Sequence, residues 1–375
     1  MPRRSRASTP PSNAQDERWM QHAIAQARRG LGRTRPNPAV GAAVVRDGRV
    51  LGLGYHHGAG LPHAEVEALR VAVGDVRGAT IYVTLEPCDH HGRTGPCTER
   101  LIAAGVARVV VGCIDPNHRV NHRGVAKLRR HGIQVDVGVC EDDCRELIAG
   151  YSKHVVQGLP LVLLKAAVSV DGRLATRTGD SRGLSGPESQ AHLHRLRARC
   201  DAIVVGIGTV LADNPRLTPR GEEREAEDGN PLIRVVLDTQ ARTPPSSQVV
   251  RGPGTCIVAV GKGAAASRLR RLEQAGAEIL RCPLRGGHVS LRHVLRTLGR
   301  RGLMTVLVEG GGTVHGSLLR QGLADRVLLY MTPRLIGGDG VPVLAGPGRR
   351  LIAETGLQEP RWQALGEDML LTARL

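Results

Sequence analysis

Phenylalanine is absent from this chain of 375 residues, and all aromatics together make up only 2% of it. A core without Phe must be filled by Leu, Val, Ile and Ala, so continuous aliphatic runs mark the buried strands. The rings that would stack on nucleic-acid bases are scarce too, at two Trp and four Tyr. Lysine is scarce: only four of the 52 basic residues are lysines, yet the formal charge is +17. The basic clusters, Arg268 to Arg271 and Arg296 with Arg300 and Arg301, lie far apart on helix-like segments without interleaved aromatics. They read as solvated faces rather than a nucleic-acid surface, with a residual preference for anionic, phosphorylated ligands. No run approaches the ~20 apolar residues of a membrane span, so no membrane partner is expected.

The eight cysteines lack the density of a disulfide scaffold, and Cys113 in RVVVGCI reads as a small buried hydrophobe. The opening segment, MPRRSRASTPPSNAQ, has no hydrophobic stretch and is not a secretory signal. Residues 1–15 are expected to be a disordered tail, and the protein cytoplasmic.

Helix and strand patterns then alternate. DERWMQHAIAQARRG has helical spacing, and VGAAVVRDGRVLGLGY is a hairpin turning at Asp47-Gly48. HAEVEALRVAV, CTERLIAAG, GVAKLRRHG and EDDCRELIAGYSKHVV read as helices, with the strands GATIYVTLEP, ARVVVGCIDP and QVDVGV between them. Gly158 and Pro160 punctuate a junction, after which LPLVLLKAAVSVDGRL opens a second unit with strands DAIVVG, LIRVVLD, TCIVAVG, MTVLVEGGG and DRVLLYMTP. Residues 219–231 are charged and turn-rich, an expected exposed loop. No internal repeat connects the halves. The expectation is two different α/β domains, 16–157 and 158–375.

The first half carries a metal-ligand constellation. In TLEPCDHHGRTGPC, Cys88, His90, His91 and Cys97 offer enough donors for a self-contained structural zinc site. Adjacent histidines diverge, however, and Pro62-His63-Ala64-Glu65 lies upstream. H-x-E followed by P-C…C is the signature of zinc-dependent base deaminases. An imidazole and two thiolates would hold Zn²⁺ with one position left for water, whose pKa the metal lowers. A carboxylate outside the ligand set, Glu65, would then move protons to the ring nitrogen and the departing ammonia. A helix start at Cys97 would favour its thiolate.

Eight residues separate the cysteines, where the general signature has two. With that gap, HAEVEAL and VTLEPCDHHGRTGPCTERLIAAGVARVVVGCIDPN resemble the deaminase half of the bifunctional riboflavin-biosynthesis deaminase/reductase family. The resemblance implies His63, Cys88 and Cys97 as zinc ligands, Glu65 as proton carrier and a cytidine-deaminase-like three-layer αβα fold. The sequence departs from the family at His118, where a proline is usual, and at His122, where a glycine is usual.

The second half has no G-x-G-x-x-G after its first strand, so a Rossmann fingerprint is missing. Glycines do follow two strands, at Gly206-Ile207-Gly208 and at Gly310-Gly311-Gly312, where backbone N–H groups can hold phosphate. LKAAVSVDGRLAT, HRLRARCDAIVVGIGTVLADNPRLTPR, VEGGGTVHGSLL and TPRLIGG resemble the reductase half of the same family. That implies a dihydrofolate-reductase-like α/β domain using NADPH. It implies cofactor contacts at Ala167, Gly183, Thr209, Asp213 and Thr239, and along Gly311, Gly312, Thr313, Val314, His315, Gly316 and Ser317. Substrate contacts are implied at Ser181, Arg197, Leu217, Arg220 and Glu309, with the two arginines suited to a ribose phosphate. Gly183 stands where the family usually has a tryptophan, a loss expected to weaken cofactor binding by ~1–2 kcal/mol.

The expected activity is deamination of a small-molecule pyrimidine ribosylamine phosphate, then reduction of its ribosyl group, by a homo-oligomer. Two alternatives stay open at this point. One is a deaminase of nucleic acid. The other is a deaminase joined to a reductase-like module that only binds.

Overall fold

The computed structural model describes residues 14–92, 95–118, 120–220, 231–348 and 356–375. The expected tail therefore lies outside the described residues up to position 13, as do residues 221–230 of the expected charged loop. Ala14 and Gln15 are a correction: they belong to the first helix, not to a tail. The chain divides into two compact units, one ending at Gln157 and the other beginning at Gly158. Among the described residues no helix is long and apolar enough to cross a membrane.

The first unit runs α1 (Ala14–Arg29), β1 (Gly41–Arg46), β2 (Arg49–Tyr55), α2 (Ala64–Arg70), β3 (Thr80–Leu85) and α3 (Cys97–Ala103). It continues with β4 (Arg108–Cys113), α4 (Arg123–Arg130), β5 (Gln134–Val137), α5 (Glu141–Leu147) and α6 (Ala149–Gln157). Its sheet has the order β2-β1-β3-β4-β5, antiparallel through β3 and parallel from β3 to β5. The β1–β2 turn puts Asp47 at φ 50° and Gly48 at φ 69°, the paired positive values that match strand twist. Alternate strand residues serve opposite layers. Ile81, Val83, Val109 and Val111 pack with Ala68 of α2, Leu101 of α3 and Leu128 of α4. Tyr82, between Ile81 and Val83, instead donates its hydroxyl to Asp16 of α1 at 2.7 Å. The layers are therefore helix, sheet and helix. The segment EDDCRELIAGYSKHVV, expected as one helix, is two, broken at Ile148.

The second unit begins with β6 (Leu161–Ser169), β7 (Arg173–Ala175), α7 (Pro187–Ala198), β8 (Ala202–Gly206), α8 (Ile207–Asp213) and β9 (Ile233–Leu237). It continues with α9 (Gln248–Arg251), β10 (Cys256–Gly261), α10 (Ala266–Gln274), β11 (Glu278–Cys282), β12 (Leu284–Arg285) and β13 (His288–Val289). α11 (Leu291–Arg300), β14 (Thr305–Val308), α12 (Gly312–Arg320), β15 (Arg326–Thr332), β16 (Val341–Pro342), β17 (Gln358–Leu365) and β18 (Asp368–Arg374) follow. Nine strands form one sheet, ordered β11-β10-β9-β8-β14-β6-β15-β18-β17. It is parallel from β11 to β15, and β18 and β17 add antiparallel. Ile203 and Val205 of β8 join one core with Leu269 and Leu272 of α10. Val204 joins the other, with Leu295 and Leu298 of α11. Strands buried on both faces need unbroken apolar runs, which is why IVV, RVVL and TVLV carry no alternation. Each fully buried Val or Leu contributes ~1.5–3 kcal/mol of hydrophobic stabilisation.

Candidate active sites

Three element ends meet in the first unit. β3 delivers Cys88 just past its last residue, His63 caps α2 in extended conformation, and Cys97 is the first residue of α3. His63 Nδ1 lies 3.2 Å from Cys97 Sγ and 3.5 Å from Cys88 Sγ. The three donor atoms all fall within 4.8 Å of one another. His90 and His91 do not join this group, so the described residues form no self-contained loop site. Each of the three enters from a different chain segment, which a short structural knuckle does not require.

The charges in the cluster are shared. The Cys97 backbone N–H points at Cys88 Sγ at 3.5 Å. Hydrogen bonding from the Cys97 thiol, with His63 adding to it, draws the Cys88 thiol down to about 4. The Cys97 thiol is pushed up by the same neighbour and by burial. The first N–H of α3, expected to favour a thiolate at Cys97, is directed at the Cys88 sulfur. The His63 imidazole is raised by its bond to Cys88. One nitrogen and two sulfurs sharing protons across a few ångströms are a borderline-soft donor set, and they fit a zinc ion that would displace those protons.

Glu65 stands in the first turn of α2 with 3% of its surface exposed, and burial pushes its carboxyl up. It lines a cavity of about 430 Å³ together with His63, Cys88 and His90. Two wall residues went unread in the sequence. His56, at the end of β2, holds Pro62 O with Nδ1 at 3.0 Å and meets Asn37 Nδ2 at 2.9 Å through Nε2. Burial lowers its pKa, so it is neutral, with the proton on Nδ1 and an acceptor left for Asn37. No local spacing signals either residue, because the contact spans 19 positions.

Glu86, Asp115, Asn117 and Tyr151 also line this cavity. Glu86 Oε2 accepts from the N–H of His122 at 2.9 Å and Oε1 from Val125 at 3.2 Å, pinning the loop that departs from the family pattern. His122 sits there at φ 61°, the left-handed region that explains a glycine as the usual residue. Tyr151 donates to Asp115 Oδ1 at 3.2 Å, while burial pushes the Asp115 carboxyl up to about 6.

A cavity of about 540 Å³ opens in the second unit at the carboxyl ends of β8 and β14. Ala167, Ser181, Thr209, Asp213 and Leu217 line it, as do Arg197 and Glu309. Gly311 to Val314 complete that wall. A Cβ at Gly208 or Gly311 would meet nothing, so backbone N–H groups there are open to a large ligand. α12 starts at Gly312 with Gly311 as its cap, which turns free N–H groups toward the cavity end of the helix. A dinucleotide with phosphates fits this lining.

Six expected contacts lie off the wall. Gly183, at φ 67°, has open space around it, and it is the next residue, Leu184, that lines the cavity. Thr239 instead accepts from Val289 N–H at 3.2 Å. His315 is buried beneath α12 against Val343 O, and burial drops its pKa to about 4. A Cβ on Gly316 would collide with Ala345 O, so this glycine is there for packing. Ser317 accepts from Gln321 at 2.9 Å, and Arg220 is exposed.

Arg197 lines the cavity but is not a free cation. Its Nε and Nη2 donate to the two Glu309 oxygens at 2.8 Å each, with the two side chains 13% and 9% exposed. The sequence missed Lys165, midway along β6, which lines the same cavity with no hydrogen-bond or ion-pair partner among the described residues. Burial lowers its pKa, against the pull of Glu309. A lone lysine in the apolar run LVLLKAAVS was the available signal.

Residues 13–113 match the model of the cytidine and deoxycytidylate deaminase zinc-binding region, and residues 160–371 match that of the RibD C-terminal domain. The riboflavin biosynthesis protein RibD of Aquifex aeolicus is 39% identical over 357 residues, 95% of this chain and 97% of that protein. The RibD of Escherichia coli is also 39% identical, over 91% of this chain and 94% of its own length. Among solved structures, RibD of Acinetobacter baumannii superposes with TM-score 0.84 at 36% identity, covering 96% of this chain and 98% of its own. A diaminohydroxyphosphoribosylaminopyrimidine deaminase/5-amino-6-(5-phosphoribosylamino)uracil reductase from Thermotoga maritima gives 0.82 at 35%, with the same coverage.

Proposed function

The chain belongs to the RibD family, and from that membership we propose how its own residues divide the work. It is a bifunctional enzyme of riboflavin biosynthesis, a zinc-dependent deaminase and an NADPH-dependent reductase acting on a small molecule. The observation that carries the residue assignment is the convergence of His63, Cys88 and Cys97 from three element ends beside a buried Glu65.

Residues 16–157 are the deaminase domain and 158–375 the reductase domain. His63, Cys88 and Cys97 hold zinc, which when bound supplies Lewis acidity that makes water nucleophilic near neutrality. Glu65, kept protonatable by burial, takes one proton from the attacking water and passes it to the pyrimidine nitrogen. It then takes the second from the hydroxyl left on the ring carbon and passes it to the amine, which departs as ammonia. His56, kept neutral by burial and fixed in orientation by its hydrogen bond to Pro62, orients Asn37 on the cavity wall, where its amide can meet the ring edge.

In the reductase domain NADPH supplies the hydride when bound. The Gly310 to Gly312 turn and the start of α12 bind its phosphates, with Thr209 and Asp213 along the same wall. Leu184 provides apolar contact where the family usually has an aromatic ring. Lys165 supplies the positive charge that Arg197 cannot, and its ammonium meets a sugar or phosphate oxygen of the substrate. The enzyme works as a cytoplasmic homo-oligomer, an assembly that sedimentation of the purified chain will report.

Glu65→Gln tests the first half of the assignment. Deamination, followed as ammonia release, should fall by about 10²–10⁴ while bound zinc stays at the wild-type level. Loss of zinc along with activity would make Glu65 a ligand or a fold residue instead.

A further inference from the structure

Lys165 has no carboxylate of its own. The acid that acts on it, Glu309, gives one oxygen to each of two Arg197 nitrogens at 2.8 Å, so it attracts Lys165 only through space. What does touch Lys165 is a ring. Its Nζ lies 5.2 Å from the centroid of Tyr330, which stands on the neighbouring strand β15. Tyr330 is 1% exposed, and its hydroxyl meets His192 Nδ1 of α7 at 2.8 Å. The two rings are tilted by 58° with centroids 5.8 Å apart. α7 thus carries both Arg197, which occupies Glu309, and His192, which fixes Tyr330.

The hydrogen bond has one direction. Burial holds the Tyr330 phenol well above its usual range, so it keeps its proton and donates. Burial, with Arg195 and Arg199 nearby, lowers the His192 pKa, so its Nδ1 is a free acceptor. A fixed ring then presents its negative face to a flexible ammonium. Lysine has four rotatable bonds, and without a partner it would sample many positions in an open cavity.

We infer that Tyr330, clamped by His192, is a positioning residue that holds the Lys165 ammonium toward the reductase cavity. This rests on the assignment of Lys165 to the substrate. The groups facing Lys165 are Glu309 beyond β14, Arg197 on α7, His315 on α12 and Tyr330 on β15, so its alkaline titration reports on this set.

The test follows NADPH oxidation by the full-length zinc-loaded chain on the deaminated substrate, with ammonia release by the deaminase domain as control. Lys165→Met should lower reductase kcat about a hundredfold. Tyr330→Leu removes the ring, and should lower kcat about tenfold, leave KM for NADPH unchanged, and move the alkaline limb of the kcat profile to lower pH. Tyr330→Phe and His192→Ala break only the clamp, so each should cost severalfold, and the double variant no more than either single one. A buried tyrosine that merely filled space would change thermal stability without moving the pH limb. Normal kcat and an unmoved limb in Tyr330→Leu would overturn the inference. Should that variant fail to fold, unchanged or additive losses in Tyr330→Phe and His192→Ala would overturn it equally. Full activity in Lys165→Met would instead sink the assignment of Lys165 itself.

Discussion

His122 holds φ 61° at the start of α4 while its N–H is tied to Glu86 at 2.9 Å. Histidine tolerates the left-handed region better than most residues but still bears strain there. His122→Gly should raise stability by about 0.5–1 kcal/mol, read as a higher urea midpoint, whereas His122→Ala should not. Equal effects of the two changes would locate the cost in the imidazole, not the backbone. On the wall of the same cavity, Asp115 is 6% exposed with its carboxyl pushed up to about 6 by burial. The folded state binds this proton more tightly than the unfolded chain does. The group therefore costs nothing below pH 4 and destabilises progressively as pH rises through 6. Asp115→Asn keeps an acceptor for Asn117 N–H, which lies 2.8 Å from Oδ1, and removes the titration. Relative to wild type it should gain roughly 1–3 kcal/mol between pH 4 and pH 7 in chemical denaturation. A difference that stays flat over that range would show that the carboxyl is not the titrating group.

At the scale of elements, the site depends on how closely α2 can lie on β2. A Cβ at Gly54 would stand 2.6 Å from Ala64 O and closer still to Ala68 N. The glycine therefore sets the height of the helix turn that carries Glu65 and follows His63. Gly54→Ala should cost about 1–3 kcal/mol and lower zinc content as the helix lifts. Undiminished zinc at full stability would mean the helix has slack that the packing does not show. What the sequence revealed divides along the same line. Aliphatic runs such as RVVVGC and AIVVG announce their strands, and H-x-E with P-C…C announces the cluster of His63, Cys88 and Cys97. Those are local patterns. The β17–β18 hairpin went unread because its outer strand is an exposed edge, almost every residue of which faces solvent, so no apolar period marks it. Lys165, His56 and Asn37 went unread for another reason: each matters through neighbours far along the chain. Arg197 was recognised as a site residue, but its neutralisation by Glu309, 112 positions away, could not be seen. The break at Ile148 shows the reverse error, in which continuous helical composition hid the end of one helix and the start of the next.

For the molecule as a whole, each cavity is lined, among the described residues, by one unit only. The formal charge of +17 draws anionic substrates toward the chain without selecting between the cavities. Two chemistries on one polypeptide should therefore be separable by removing the ion that only one of them uses. His63, Cys88 and Cys97 lie within hydrogen-bonding reach of one another, so protons compete with a metal ion for the same donor atoms. Zinc binding displaces those protons, and chelation lets them return. Ammonia release should stop after dialysis against a chelator and return with added zinc. NADPH oxidation on pre-deaminated substrate should continue at its original rate throughout. Unfolding should change in the same selective way, because a ligand stabilises only the unit that binds it. That stabilisation is about 4 kcal/mol when free zinc stands a thousandfold above its Kd. A melt of the zinc-loaded chain should thus lose stability in one transition after chelation while the other stays in place. If reduction stopped together with deamination, the two units would have to be coupled, and the zinc site would be a structural keystone for both.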